Sequence, residues 1–201
     1  MAYEFSSGNY FTVARNYNVS EFSVSLWVYR TTSGVQRSVA GLWQDSGSLY
    51  QWLINQNISN QITWTIHDGA NRDVTGAVIS LNVWTHVAMV KSTTNLYGYI
   101  NGTRYGPTAS TSAITSRSSS FGIGARQDGS VPYAGNLTEF ATWTRALTDA
   151  EVTSLSKGFK PIRVPTPEIY IPLVRDKTDI RSGYAVTQVG TPVVQPHPRV
   201  Y

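Results

Sequence analysis

Along residues 21–30, Glu-Phe-Ser-Val-Ser-Leu-Trp-Val-Tyr-Arg, the apolar side chains of Phe22, Val24, Leu26 and Val28 alternate with Ser23, Ser25, Trp27 and Tyr29. A period of two places these sets on opposite faces, so the segment reads as a half-buried β-strand. Comparable runs recur at 35–43, 50–54, 62–66, 83–91, 96–100, 119–124 and 137–143, each bounded by Gly, Asn, Asp or Ser clusters that favour turns. Asn101-Gly102 supplies the two positive-φ residues of a type I′ turn, which predicts a hairpin from Leu96 to Tyr105. Residues 107–120, mostly Ser, Thr and Ala around Ile114, read as a polar loop or a weak edge strand. Many short strands with regular turns predict an all-β sandwich or barrel.

One helix interrupts the pattern. Thr148-Asp-Ala-Glu151 has the form of a capping box, with Leu147 and Val152 spaced to staple it, and Gly158 suits its C-terminal end. The helix is predicted over 149–157. Beyond it the character changes, with Pro161, Pro165, Pro167, Pro172, Pro192, Pro196 and Pro198 leaving room for one short strand, Ile169-Tyr-Ile171. The expected organisation is a sandwich over 1–158 and a proline-rich basic extension over 159–201. Ile162, Val164, Ile169, Ile171, Leu173 and other apolar residues give this extension surface to bury, on the sandwich or on a neighbouring subunit. A chain cut after Gly158 is expected to remain a folded sandwich.

Charge sharpens the division. Residues 1–156 carry nine basic and nine acidic side chains, whereas 157–201 carry seven basic and three acidic, so the net +4 resides in the extension. Arg163, Tyr170, Arg175, Arg181, Arg199 and Tyr201 are its candidate assembly contacts. The Lys and Arg residues are not clustered as nucleic-acid recognition requires, and nucleic acid is not an expected partner. No stretch reaches the ~18 apolar residues of a membrane span, so membrane insertion is not expected, and the N-terminal residues do not resemble a secretion signal. Without cysteine the fold cannot rest on disulfides or on a thiolate metal site.

Three segments in order carry a resemblance. Phe22-Ser-Val-Ser-Leu-Trp27-Val is the first; Trp84-Thr-His86-Val-Ala-Met-Val90 with Tyr97-Gly-Tyr-Ile-Asn-Gly102 is the second. Ile123-Gly-Ala, Tyr133-Ala-Gly135-Asn-Leu-Thr-Glu139-Phe and Trp143-Thr-Arg145-Ala-Leu147-Thr-Asp-Ala-Glu151 form the third. Together they resemble laminin-G-like domains of the concanavalin A-like superfamily over roughly residues 3–158. The resemblance implies an all-β, concanavalin A-like jelly-roll sandwich with one short helix and an extended C-terminal segment. Thr138 stands where the family often has an Asp before the Glu. The tail from Gly158 to His197-Pro-Arg199-Val-Tyr201 is similar to the ending of laminin-G-like proteins encoded by bacterial viruses and prophages. That implies a virion accessory or capsid decoration protein at the virion surface, with a capsid or tail protein, or a second copy, as partner. The alternative reading is a lectin-like module, extracellular or at a cell surface, that binds a host or environmental glycan.

The side chains that could carry chemistry favour binding over catalysis. Glycanases of this fold hold two carboxylates close together, often as Glu-x-Asp-x-Glu on one strand. Glu4, Glu21, Glu139, Glu151 and Glu168 are scattered, and Glu151 with Asp149 belongs to the helix start. No enzyme activity is expected. His67, His86 and His197 lack zinc-ligand spacing, and His86, on a core strand, reads as a packed, hydrogen-bonded residue. No cofactor is required, but the resemblance implies a candidate Ca2+ site at a rim of the sandwich. Asp45, Asp68, Asp73 and Asp128 lie in predicted loops as candidate ligands, or as ordinary turn formers. An aromatic ring can pack on the C–H face of a sugar. Trp27, Trp84 and Trp143 sit in the family strands and read as core, while Trp43, Trp52 and Trp64, nearer strand ends, are the candidate glycan platforms.

Overall fold

The structure, a computed structural model, describes residues 2–44, 49–174, 177–198 and 200. The first half of the chain supplies β1 (Ala2–Phe5), β2 (Tyr10–Val13), β3 (Phe22–Arg30), β4 (Arg37–Gln44), β5 (Leu49–Gln56), β6 (Gln61–His67) and β7 (Asn71–Val78). Then follow β8 (Trp84–Lys91), β9 (Asn95–Ile100), β10 (Thr103–Ala109), β11 (Phe121–Ile123), β12 (Gly135–Trp143) and the helix α1 (Asp149–Ser156). The C-terminal segment adds a 3-10 turn at Pro161–Arg163 and the strands β13 (Ile169–Ile171), β14 (Val186–Val189) and β15 (Val193–Gln195).

These strands form two antiparallel sheets of a jelly-roll sandwich. The back sheet runs β10-β9-β8-β3-β12-β1-β15, with β13 also paired to β12, and the front sheet runs β14-β2-β11-β4-β5-β6-β7. The alternation read from the sequence sets the core: Phe22, Val24, Leu26 and Val28 of β3 are fully buried between the sheets with Phe11, Trp52, Ile54, Trp64, Phe121 and Phe140. Asn101 (φ 49°) and Gly102 (φ 82°) form the turn that joins β9 to β10.

A second, smaller core lies behind the back sheet. Val152 and Leu155 of α1 pack with Ala88, Val90, Tyr99, Trp143 and Tyr170. This cover explains why Ser23 and Ser25, on the outward face of β3, are buried as well. The capping box forms as the sequence predicts: Thr148 accepts from the Glu151 N–H, and Glu151 accepts from the Thr148 N–H at 2.8 Å. Arg145 grips both oxygens of Glu151 at 2.7 and 2.9 Å, tying the end of β12 to the first helical turn.

The C-terminal segment is woven into the sandwich. β15 pairs with β1, β14 with β2 and β13 with β12, so it reaches both sheets. Tyr170, a candidate contact for an external partner, is instead buried against β12, because its ring belongs to the second core and its hydroxyl donates to Glu139. Arg163 is exposed in the 3-10 turn, and Arg181 is exposed with Nε 3.4 Å from the Pro167 carbonyl. Arg175, Arg199 and Tyr201 lie outside the described residues. No helix among the described residues is long and apolar enough to cross a membrane.

Candidate functional site

The outer face of the front sheet is polar where its inner face is aromatic. On β5, β6 and β7 the residues that alternate with the buried Trp52, Ile54, Ile62, Trp64, Ile66 and Val74 point outward. Strand register sorts them into two cross-strand rows, Leu53–Thr65–Asp73 and Asn55–Thr63–Thr75. They lie in a cleft of about 360 Å3 that Trp43 and Arg126 also line.

Within the cleft the Thr65 hydroxyl donates to the Asp73 carboxylate at 2.5 Å, and the Asp73 carbonyl accepts from Thr108 at 2.7 Å. Asn55 is 5% exposed, and its amide oxygen has no hydrogen-bond partner among the described residues. A buried acceptor without a donor is costly, which makes Asn55 a strained polar position in the lining of the cleft. At the rim the Trp43 and Tyr50 rings lie 4.7 Å apart, and Tyr50 continues to His67 at 5.6 Å. Amide, hydroxyls, a carboxylate and an aromatic edge suit the hydroxyls and C–H faces of a saccharide. Asp73 is the single acid among the lining residues described, so the cleft lacks the paired carboxylates of glycoside hydrolysis.

The structure redistributes the candidate residues. Trp43 borders the cleft, but Trp52 and Trp64 are fully buried and cannot serve as platforms. Both share strand parity with core isoleucines, and Trp64 lies flat against Gly98 of β9, where an added Cβ would come within 2.0 Å of the ring. Asp68 accepts from Ser110 at 2.7 Å and Arg72 at 3.0 Å. Burial raises its pKa, but the hydrogen bonds from Ser110, Arg72 and the chain at Ala70, with the charge of Arg72, together hold the carboxyl below the usual range. Asp128 accepts from the N–H and hydroxyl of Ser130, a local turn, and Asp45 lies outside the described residues. Asp68, Asp73 and Asp128 thus each have a separate partner, and no group of three or more His, Asp or Glu that could hold a metal is gathered among the described residues.

His86 is fully buried, with Nε2 2.8 Å from the Ser25 hydroxyl, and desolvation lowers its pKa to about 3. It is a neutral structural residue. Asn55, Thr63, Thr65 and Thr75 are not singled out in the sequence reading. Their signal was the alternation Gln61-Ile-Thr-Trp-Thr-Ile-His67, which sets the threonines opposite Ile62, Trp64 and Ile66.

Comparison with known proteins agrees with this architecture. The family profile described as the concanavalin A-like lectin/glucanases superfamily matches residues 5–153. The chain belongs to this superfamily. In fold it is similar to a protein of Bacteroides ovatus ATCC 8483, provisionally described as carbohydrate binding, at TM-score 0.72 and 18% identity. The match covers 96% of this chain and 61% of that one, so the chain spans about three fifths of its length. A heptameric SAP-like pentraxin of Limulus polyphemus is similar at TM-score 0.64 and 14% identity over 94% of both chains. No curated protein matches the sequence. At these identities the likeness shows the fold alone, and the choice of ligand falls to the residues themselves.

Proposed function

We propose that the chain is a non-catalytic carbohydrate-binding module whose ligand lies in the cleft over β4–β7. The observation that carries this reading is the pair of outward-facing polar rows, Leu53–Thr65–Asp73 and Asn55–Thr63–Thr75, that line one cleft together with Trp43. The carbohydrate-binding description of the Bacteroides ovatus neighbour supports it. The reading needs no cofactor, because the polar groups that meet the sugar belong to the chain.

The virion role expected from the sequence drew on the tail as an assembly element. Tyr170, Ile169, Ile171 and Leu173 are buried inside the chain, which leaves the exposed Arg163 and Arg181 as the described candidate tail contacts open to a partner, and glycan binding is the reading preferred. A panel of immobilised glycans probed with wild type, Asn55→Ala and Thr65→Val tests it. Retention on at least one neutral or acidic glycan that both substitutions weaken, with no sugar released from any soluble polysaccharide, is the expected result. Binding indifferent to both substitutions, or hydrolysis lost with Asp73→Asn, overturns it.

A further inference from the structure

On the opposite sheet, register draws unlike side chains into one line. Trp84 of β8 faces Tyr29 of β3, Tyr29 faces Asn136 of β12, and Asn136 faces Glu4 of β1. Their neighbours Val28, Leu137, Tyr3 and Phe5 point into the core, so these side chains point out of it. Adjacent strands lie about 4.8 Å apart, and the line therefore runs for about 14 Å. It borders a cavity of about 300 Å3 that Gln195 and Pro196 complete.

The line changes chemistry along its length. At one end the Trp84 and Tyr29 rings meet at 51° with centroids 5.4 Å apart, so they do not stack on each other. In the middle Asn136 is 9% exposed, and its side chain lines the cavity. At the far end Gln195 Nε2 donates to one Glu4 oxygen at 2.6 Å, which fixes the carboxylate and leaves its second oxygen to accept.

We propose that this line is a second binding site, for a neutral oligosaccharide, on the face of the sandwich opposite the cleft. Aromatic rings pack on the C–H faces of a sugar, the Asn136 amide can both donate to and accept from hydroxyls, and the carboxylate accepts from a further hydroxyl. Glu4 is the only charged group lining the cavity among the described residues, so an anionic sugar is disfavoured there. A compact alkylammonium ion also suits aromatic rings and a carboxylate, but it must sit within about 6 Å of a ring centroid. Glu4 and Tyr29 stand two strand spacings, about 10 Å, apart along the line, which favours a ligand that spans it over one small cation. The site is independent of the cleft, and a chain with both would bridge two glycan strands.

Isothermal titration of the full chain with cellotriose, laminaritriose, maltotriose, trigalacturonate and tetramethylammonium distinguishes these ligands. At least one neutral trisaccharide is expected to bind, and Trp84→Ala and Asn136→Ala each to weaken it by about tenfold or more, a change well resolved by titration. Trigalacturonate is expected to bind more weakly, and Glu4→Gln, which keeps the side-chain shape, to narrow that difference. Circular dichroism confirms that each variant is folded, and Glu4→Gln remains decisive if Trp84→Ala is not. Absence of binding by all three neutral sugars, loss of their binding through Asn55→Ala alone, or preferential binding of tetramethylammonium overturns the proposal.

Discussion

The hydroxyl of Tyr170 donates to the buried carboxylate of Glu139, and His197 approaches the other carboxylate oxygen at 3.1 Å. Glu139 sits at φ 54° in a bulge where Glu139 and Phe140 of β12 oppose a single residue of β3. The bulge lets the Glu139 N–H and the Thr138 hydroxyl both reach the Pro172 carbonyl. Burial, followed by the charge of Glu139, pushes the Tyr170 hydroxyl far above its usual pKa, which keeps it a donor throughout the working range. The Glu of the family motif thus acts as an anchor for the C-terminal segment.

Removing the donor should expose how much this anchor contributes. Tyr170→Phe keeps the ring but leaves a buried carboxylate short of one partner, a loss of about 1–3 kcal/mol. Urea denaturation of wild type, Tyr170→Phe, Glu139→Gln and the double variant measures it. An additive cycle would show that the pair is not coupled.

Cutting the chain after Gly158 is the harsher version. The sequence reading expected a folded remnant, but the cut removes β13, β14 and β15 and the buried Ile169, Tyr170, Ile171 and Leu173. Each large buried side chain contributes roughly 1.5–3 kcal/mol, and together they approach the whole stability of a domain. The truncated chain is expected to show no cooperative thermal transition by circular dichroism; a sharp one would show that the extension is dispensable.

Trp64 and Gly98 form a matched pair. A methyl group at Gly98 would meet the indole at 2.0 Å, so Gly98→Ala should destabilise by about 1–3 kcal/mol or more through overpacking. Trp64→Leu in the same chain should recover part of that loss. Equal melting temperatures for wild type and Gly98→Ala would refute the packing described.

His86 makes stability depend on pH. Its pKa in the folded chain, about 3, lies below the ordinary value of 6.5, so the folded state binds fewer protons than the unfolded state between these values. The contribution is fully present above pH 6.5 and declines as pH falls toward 3, by at most about 1.4 kcal/mol per pH unit. Its ring resonances should stay unshifted from pH 8 to 5 by NMR. A midpoint near 6.5 would mean that the ring is hydrated.

Chelation should change little. Asp68, Asp73 and Asp128 are engaged by Arg72 and Ser110, by Thr65 and by Ser130 respectively. EDTA is therefore expected to leave the melting temperature and glycan retention unchanged, whereas a metal bound only to the folded state would lower both on removal.

The strands were legible where alternation was strong. Phe22, Val24, Leu26 and Val28 announce the core face of β3, and Thr148 with Glu151 announces the start of α1. β7 was harder to read because its outward residues are polar and its inward ones include Gly76, whose missing side chain makes room for Trp64. The site was misread where strand position was weighed above parity. Trp64 shares its face with Ile62 and Ile66, and that alone places it inside. Which polar residues share a row depends on register between strands, and no single segment encodes that.

The pairing of β1 with β15 and of β2 with β14 sets the order in which the chain can be completed. Tyr3 waits for Val194 and Thr12 for Thr187, so these strands find their neighbours far along the sequence. Loop closure over such separations is slow relative to local hairpins such as β9–β10, which can form as soon as they emerge. Until β15 is in place, β1 presents an unpaired edge to other chains, and a molecule whose C-terminal segment has come loose is in an aggregation-prone state.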